Sequence, residues 1–206
     1  GTPYGVSYAP YSYWKRGINL YTYGMTEVDA QIGVILKALP AEVASNTIIV
    51  FTSDHGELAG AHGFISNKTC CVYEEAVRVP LVVYDPTGQF TGDTKVTRTQ
   101  ITSHVDLAPM LMSFAYSGTF NWMVGDYATL YGNRFNMFPL MKSANAEGRP
   151  YALFSTDECV GDQFDFVKAP DYQQNQTPFH IVSMVTKIGK VAVYSNWDVN
   201  TANIST

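Results

Sequence analysis

The chain has 206 residues, enough for one sizeable domain or for a domain with a small satellite, and 46% hydrophobic with 15% charged residues is typical of a globular protein. The formal net charge of -5 and the 13 scattered Lys and Arg residues argue against a nucleic-acid partner, because phosphates require clustered positive charge. No apolar run approaches the roughly 20 residues that a membrane-spanning helix needs.

The first half of the chain predicts one long helix and two strands. Residues 1–14 are rich in Tyr, Pro and Gly, which indicates an irregular segment packed on a surface. Apolar residues then recur at helical spacing from Asn19 to Leu39, and a proline follows. The uninterrupted apolar run Ile48–Phe51 predicts a buried strand of the kind found in parallel sheets. Pro80–Tyr84 predicts the next strand.

The second half predicts one short helix and further strands. Val96–His104 is expected to be a strand, and Asp106 is expected to cap the helix Leu107–Ala115. Residues 118–148 lack clear periodicity, which suggests a long connection across a surface. Beyond it, a hairpin turn is predicted at Lys187–Lys190. The strands predicted there are Tyr151–Thr156, Phe179–Thr186 and Val191–Tyr194.

This order of elements indicates an α/β fold, in which a helix-and-strand half precedes a small antiparallel sheet. We expect residues 1–117 to form part of a large α/β domain. Residues 118–148 would connect it to a small C-terminal antiparallel subdomain at residues 149–206.

Asp54 and His55 directly follow the strand predicted at Ile48–Phe51, at the carboxyl end where open α/β sheets bind ligands. A carboxylate oxygen and an imidazole nitrogen suit a divalent cation such as Ca²⁺, Mn²⁺ or Zn²⁺. Gly56 then lets the backbone turn sharply. Two ligands do not complete a metal site, and the other histidines have no ligand-type spacing to Asp54. The residue types alone leave open that Asp54 caps a helix and that His55 is a satisfied polar residue.

Other polar residues follow this pair. Lys68 can bind an oxyanion as a point charge or remain a solvated surface lysine. His62 could donate a proton, although a role in packing or in supporting a metal ligand is favoured. The spacing of Glu74, Glu75 and Arg78 predicts ion pairs within a helix.

Several motifs together resemble one family. The run T-S-D-H-G-E-x-x-G-x-H-G from Thr52, then Lys68, then Y-E-E-A-V-R-V-P-L-V-V from Tyr73, resembles the sulfatase family of the alkaline phosphatase-like superfamily. Tyr23–Gly33 is similar to the helix before the metal-binding strand of that family, and Val105–Pro109 is similar to the helix start after it.

The resemblance implies metal-dependent hydrolysis of a small-molecule or carbohydrate sulfate ester, within a mixed or parallel sheet with flanking helices. In the family, a formylglycine made from Cys or Ser in a C/S-x-P/A-x-R motif attacks sulfur, and a divalent ion, commonly Ca²⁺, orients the sulfate. By the match, Asp54 and His55 are metal ligands and Lys68 is a catalytic residue that binds sulfate. His62 is a further candidate for substrate binding. A periplasmic, secreted or lysosomal-type compartment is favoured by the resemblance alone.

The chain also departs from the family pattern. None of the three cysteines, at positions 70, 71 and 159, lies in the nucleophile motif, and the family's N-terminal pair of aspartates is missing. We therefore expect the C-terminal portion of a longer sulfatase, whose exposed sheet and helix faces pack on the missing half or drive oligomerisation. Two alternatives stay open. One is a phosphodiesterase or phosphonate monoester hydrolase that uses Mn²⁺ or Zn²⁺, and the other is a catalytically inert binding or assembly module.

Overall fold

The computed structural model describes residues 11–63, 68, 71–94, 96–157, 180–197 and 204–205. The helices in this part of the chain are α1 Tyr11–Ala38, α2 Ala41–Ala44, α3 Glu74–Val77, α4 Leu107–Phe114, α5 Asp126–Tyr131 and α6 Phe138–Lys142. The strands are β1 Ile49–Thr52, β2 Leu81–Tyr84, β3 Tyr151–Thr156, β4 His180–Thr186, β5 Gly189–Trp197 and β6 Ile204–Ser205. The predicted mixed α/β character is therefore confirmed.

The strands that the structure describes form two antiparallel sheets. In the first, β1 pairs with β2, so that Ile49 lies opposite Tyr84 and Thr52 lies opposite Leu81. The second has the order β3-β4-β5-β6, with every neighbouring pair antiparallel. The predicted C-terminal antiparallel sheet is confirmed. The parallel sheet expected around β1 is not confirmed, because the partner of β1 runs antiparallel to it.

Both faces of the β1–β2 pair are apolar. On one face, Val50 and Val83 pack against the main hydrophobic core. The buried members of that core are Phe90, Met110, Met137, Phe138 and Met141. On the other face, Phe51, Val82 and Tyr84 are 42%, 53% and 57% exposed. Apolar residues on both faces are typical of strands that are covered on both sides.

Helix α1 is longer than its sequence pattern predicts. The predicted start was Asn19, whereas the helix already runs from Tyr11, the first described residue. No proline interrupts the chain between Tyr11 and Asn19, so the helix extends past the region of clear apolar spacing. Its 28 residues include none that is buried. In the part of the chain that the structure describes, no helix has both the length and the apolar character needed to cross a membrane.

The strand predicted at Val96–His104 is wrong, because these residues form no strand. Two polar side chains in the segment hold it against the chain around α6 instead. The Arg98 guanidinium donates to backbone carbonyls just before it in the chain and to carbonyls of α6. Gln100 Nε2 donates to two carbonyls that follow α6. The accepting carbonyls are those of Gly92, Asp93, Val96, Leu140, Met141, Ala144 and Ala146. Irregular backbone is stabilised here by side chains rather than by a strand ladder.

The short helix predicted after Asp106 is confirmed as α4, but Asp106 does not cap it through its side chain. The Asp106 carboxylate is fully buried and forms a two-point ion pair with Arg149. Arg149 Nε lies 2.6 Å from Oδ2, and Arg149 Nη2 lies 3.0 Å from Oδ1. The Phe135 backbone N–H donates to Oδ1 at 2.9 Å. A charged partner distant in sequence thus replaces the predicted local cap.

Residues 118–148, predicted as a long connection, contain the short helices α5 and α6. Phe138, Leu140 and Met141 of α6 are buried, so this segment contributes to the core. Nearby, Trp122 is buried, and its Nε1 donates to Ser113 Oγ on α4 at 2.8 Å. Helices of five or six residues are too short to show a periodicity in the sequence.

Candidate active site

Asp54 and His55 lie immediately after β1, where its last residue, Thr52, ends the ladder with β2. Asp54 Oδ1 is held by the protein, because it accepts the His55 backbone N–H at 2.8 Å and lies 3.2 Å from Ser53 Oγ. The other carboxylate oxygen, Oδ2, lies 3.3 Å from His55 Nε2. The two predicted metal ligands therefore face each other.

The hydrogen bonds of the His55 ring determine which of its nitrogens carries a proton. His55 Nδ1 lies 2.9 Å from the Gly56 carbonyl oxygen. Because a carbonyl can only accept, Nδ1 donates, and in the neutral ring Nε2 then carries a lone pair. This nitrogen lies 3.3 Å from Asp54 Oδ2, which only accepts, so the contact requires a proton or a cation between the two atoms.

The electrostatics of Asp54 favour its ionised form. The hydrogen bond from the His55 backbone N–H is the largest influence, and it holds the pKa of the Asp54 carboxyl below its usual range. Burial is the second-largest influence and opposes this shift, while the His55 ring and the Ser53 hydroxyl lower the pKa further. The side chains of Asp54 and His55 are 80% and 46% exposed, so a small ion in solvent can reach both.

Gly56 brings this pair against helix α3. Its backbone N–H donates to the Ala76 carbonyl at 2.9 Å. A Cβ added at Gly56 would lie 1.9 Å from the Glu75 carbonyl oxygen, so no larger residue fits without moving backbone. Helix α3, which lies within the run from Tyr73, therefore supports the end of β1.

His62 does not contact Asp54 or His55 in the described structure, and it is directed to α3 instead. Its Nε2 lies 3.2 Å from Glu75 Oε2. Its ring stacks on Tyr73, with ring centroids 3.7 Å apart and planes 10° from parallel. These contacts agree with the packing role that the sequence favoured, while substrate binding by His62 stays a prediction.

Lys68 lies half-buried on the chain before α3. Its backbone carbonyl accepts from the Cys71 thiol, with Sγ 3.2 Å from the oxygen. Cys71 is half-buried, while Cys70 and Cys159 fall outside the described residues. The contacts described for Lys68 do not join it to Asp54 or His55, so its sulfate contact stays a prediction.

The structure adds residues near the site that sequence spacing did not indicate. The Thr52 hydroxyl donates to the Pro80 carbonyl at 2.8 Å and lies 3.3 Å from His104 Nε2, so His104 reaches the end of β1 from 52 residues away. Glu74 pairs at 2.7 Å with Lys190 on β5. The ion pairs expected within α3 are therefore replaced by contacts with distant residues.

Strand β5 also packs against the segment before α3 through Tyr194. Burial, followed by the nearby Cys71 and Tyr73, raises the pKa of the Tyr194 phenol, and a hydrogen bond with the Val72 backbone opposes this shift. The C-terminal sheet thus contacts the same short segment that supports the end of β1. Nothing in the local pattern of β5 could have indicated this contact, because it depends on how the chain folds back.

The donor atoms fit one half of a metal site. Each Ca²⁺ ligand oxygen lies roughly 2.3–2.6 Å from the ion, so two donor atoms as close as Asp54 Oδ2 and His55 Nε2 can reach the same cation. Within the described residues, no three His, Cys, Asp or Glu side chains group closely enough to hold a metal ion. Further ligands would therefore have to come from outside the described residues.

Comparison with known proteins identifies relatives of this chain. A sequence model of the sulfatase family matches residues 3–117. The chain is 43% identical over 89 residues to an uncharacterized sulfatase, YidJ, of Escherichia coli (strain K12), which covers 43% of this chain and 16% of that protein. It is 34% identical over 103 residues to an arylsulfatase of Clostridium perfringens, covering 50% of this chain and 21% of the relative.

A third relative has a more specific name. The chain is 38% identical over 89 residues to an N-acetylglucosamine-6-O-sulfatase of Bacteroides thetaiotaomicron, covering 43% of this chain and 15% of that protein. The matched region thus spans about a fifth or less of these relatives. Since the family match covers more than half of the 206 residues, including Asp54, His55 and Lys68, this chain belongs to the sulfatase family.

Proposed function

We propose that this chain supplies the metal-binding and sulfate-binding side of a sulfate-ester hydrolase. The observation that carries the proposal is the 3.3 Å distance between Asp54 Oδ2 and His55 Nε2, two metal-ligand atoms that lie together at an exposed strand end. A divalent cation satisfies both atoms at once. Membership of the sulfatase family supports the reaction class.

Asp54 and His55 would hold the cation, for which Ca²⁺ is our first choice because carboxylate oxygen is its usual ligand. When bound, such an ion supplies positive charge that polarises the sulfate group. The protein keeps the pair ready for this role. Asp54 Oδ1 is fixed by the His55 backbone N–H, and the His55 ring is fixed by the Gly56 carbonyl, so Asp54 Oδ2 and His55 Nε2 stay close to each other.

Lys68 would contact the sulfate oxygens as a second positive charge. An ammonium group near a sulfate ester stabilises the negative charge that develops on the oxygens during attack at sulfur. The polypeptide between His62 and α3 carries this lysine, and His62 at its start contacts Glu75 of α3. The proposal therefore assigns the oxyanion contact to one residue of this chain.

We propose that the nucleophile comes from outside these 206 residues. None of the three cysteines is followed by the residues of the formylglycine motif. The substrate class we propose is a sulfate ester of a small molecule or a carbohydrate, which agrees with relatives named arylsulfatase and N-acetylglucosamine-6-O-sulfatase.

We also propose that another part of the same polypeptide covers two apolar surfaces of this chain. The outer face of β1 and β2 exposes Phe51 and Val82, and α1 exposes Met25 and Ile35 at 49% and 66%. Strands with two apolar faces, and a long helix without a buried residue, are typically stabilised by packing against a neighbour. The short share of each relative that the chain matches supports this partner over a second copy of the chain.

The proposal is tested with the complete protein that contains this chain, assayed on an aryl sulfate and on the matching aryl phosphate. We predict that the sulfate ester is the better substrate and that Lys68→Met lowers kcat by about 100-fold, the usual effect of removing one oxyanion donor. Lys37→Met, an exposed lysine on α1, is the matched control and should leave the rate unchanged.

The outcomes separate the candidate functions. Faster turnover of the phosphate ester would favour the phosphoesterase alternative. A Lys68→Met variant as fast as the unmodified protein would remove Lys68 from the mechanism. The 206-residue chain alone should show no turnover, and measurable activity would contradict a nucleophile located elsewhere.

A further inference from the structure

Helix α3 contacts the candidate site in two different ways. The Glu75 carbonyl and the Ala76 carbonyl lie against Gly56, which directly follows the Asp54–His55 pair. The Glu75 side chain extends to His62 on the loop that leaves the site. Glu75 therefore contacts Gly56 through its backbone carbonyl and the loop that contains His62 through its side-chain carboxylate.

The His62 contact holds an unusual backbone conformation. His62 has φ 56° and ψ 18°, in the left-handed region that residues with a Cβ rarely adopt. A conformation of this kind persists when the surrounding structure fixes it. Here, the Glu75 carboxylate accepts from His62 Nε2, and the Tyr73 ring covers one face of the imidazole. Both contacts come from the start of α3.

The ionised form of Glu75 is favoured, and it can accept the hydrogen bond from His62 Nε2. Its own backbone N–H and then the His62 ring hold the pKa of the Glu75 carboxyl below its usual range, so the group accepts hydrogen bonds as a carboxylate. The pair is partly exposed, at 38% for the His62 side chain and 43% for Glu75. Partly exposed pairs of this type contribute little to overall stability. An effect on the local course of the loop is therefore separable from an effect on folding.

We propose that Glu75 is a positioning residue for the site, which fixes the loop after Asp54 and His55 through His62. The inference rests on the proposed function for its consequence in catalysis, because the loop leads from the metal ligands towards Lys68. Glu75 would touch neither substrate nor metal. It would set where the two charged parts of the site lie relative to each other.

The neighbouring Glu74 provides a matched control. It is also an exposed carboxylate of α3 in an ion pair, at 2.7 Å from Lys190, but its partner is on the C-terminal sheet rather than on the loop. Removing Glu74 takes away the same charge and a similar contact from the same helix. Only the connection to His62 distinguishes the two residues.

Glu75→Ala and Glu74→Ala are compared in the complete protein by kinetics and by amide hydrogen exchange. We predict that Glu75→Ala lowers kcat/KM for an aryl sulfate by about 10-fold or more, the effect expected of a residue that supports metal ligands. It should also raise exchange at residues 56–62 with an unchanged Tm. Glu74→Ala should change neither property.

Two further variants separate positioning from a general effect of charge. Glu75→Gln retains an oxygen that can accept from His62 Nε2, so it should recover most of the lost kcat/KM. The double variant Glu75→Ala/His62→Ala should be no slower than Glu75→Ala alone, since both changes remove one connection. Full additivity, or no recovery by glutamine, would overturn the inference.

The exchange measurement keeps this inference distinct from the proposed function. If the unmodified protein hydrolyses no sulfate ester, the proposed function fails, and faster exchange in Glu75→Ala alone still supports the positioning role. If exchange at residues 56–62 is the same in Glu75→Ala and Glu74→Ala, the positioning role is wrong whatever the activity.

Discussion

Gly56 lies between the Asp54–His55 pair and the backbone of α3. A Cβ at this position would lie 1.9 Å from the Glu75 carbonyl oxygen, and a backbone atom cannot rotate away as a side chain can. We predict that Gly56→Ala lowers the free energy of unfolding by about 1–3 kcal/mol or more, because overpacking usually costs this much. Denaturant unfolding at equilibrium measures the change.

Gly24→Ala is the control for this substitution. Gly24 lies within α1, and outside the local helix backbone no atom lies within 4 Å of the Cβ that alanine would add. Alanine there should stabilise the protein by roughly 0.5–1 kcal/mol, because glycine loses more backbone freedom in a helix. If Gly56→Ala unfolded at the same denaturant concentration as the unmodified protein, the close approach of α3 to the strand end would be wrong.

The site residues differ in how far the sequence could predict them. Asp54 and His55 are neighbours that follow an apolar run, so their proximity depends only on local geometry. Glu75 reaches His62 across 13 residues and a left-handed backbone turn. Helical spacing predicted instead that Glu75 pairs with Arg78, because residue spacing contains no information on the position of the loop before α3.

At the scale of elements, the Asp106–Arg149 pair joins the start of α4 to the start of β3. Asp106 is fully buried, and its carboxylate also accepts the Phe135 backbone N–H. We predict that Asp106→Ala lowers the free energy of unfolding by about 3–5 kcal/mol, because it leaves the Arg149 charge largely buried without its partner. Thermal and denaturant unfolding of the purified variant measure this.

The exposed Glu74–Lys190 pair is the comparison for this prediction. Glu74→Ala removes an ion pair with a 54% exposed carboxylate, and it should change the free energy of unfolding by less than about 1 kcal/mol. Similar losses for Asp106→Ala and Glu74→Ala would contradict a structural role for the buried pair.

Some elements follow from the sequence and others do not. Strand β3 has the predicted bounds Tyr151–Thr156, and α4 matches its predicted range closely. The residues Val96–His104 are rich in β-branched residues, which favour strands, but they form no strand. The deciding contacts there come from Arg98 and Gln100 to carbonyls more than 40 residues away, which no local pattern contains.

At the scale of the whole molecule, the segment from Cys71 to Val77 connects the two sheets. Its helix supports the end of β1 at Gly56, and its residues Val72 and Glu74 meet Lys190 on β5. The sequence predicted the C-terminal antiparallel sheet and the strands β1 and β2, but neither the antiparallel pairing of β1 with β2 nor the contact of one short segment with both sheets. It also indicated apolar faces on α1 and β1 without identifying what covers them, because burial depends on partners beyond the local chain.

The most direct test of the proposed site is Mn²⁺-induced broadening of the amide resonances of this chain, since Mn²⁺ accepts the same oxygen and imidazole ligands and reports weak binding. We predict that broadening is strongest around residues 53–56, that Asp54→Asn abolishes it, and that Asp29→Asn on exposed α1 leaves it unchanged. Broadening centred elsewhere, or retained in Asp54→Asn, would contradict the assignment of Asp54 and His55 as metal ligands.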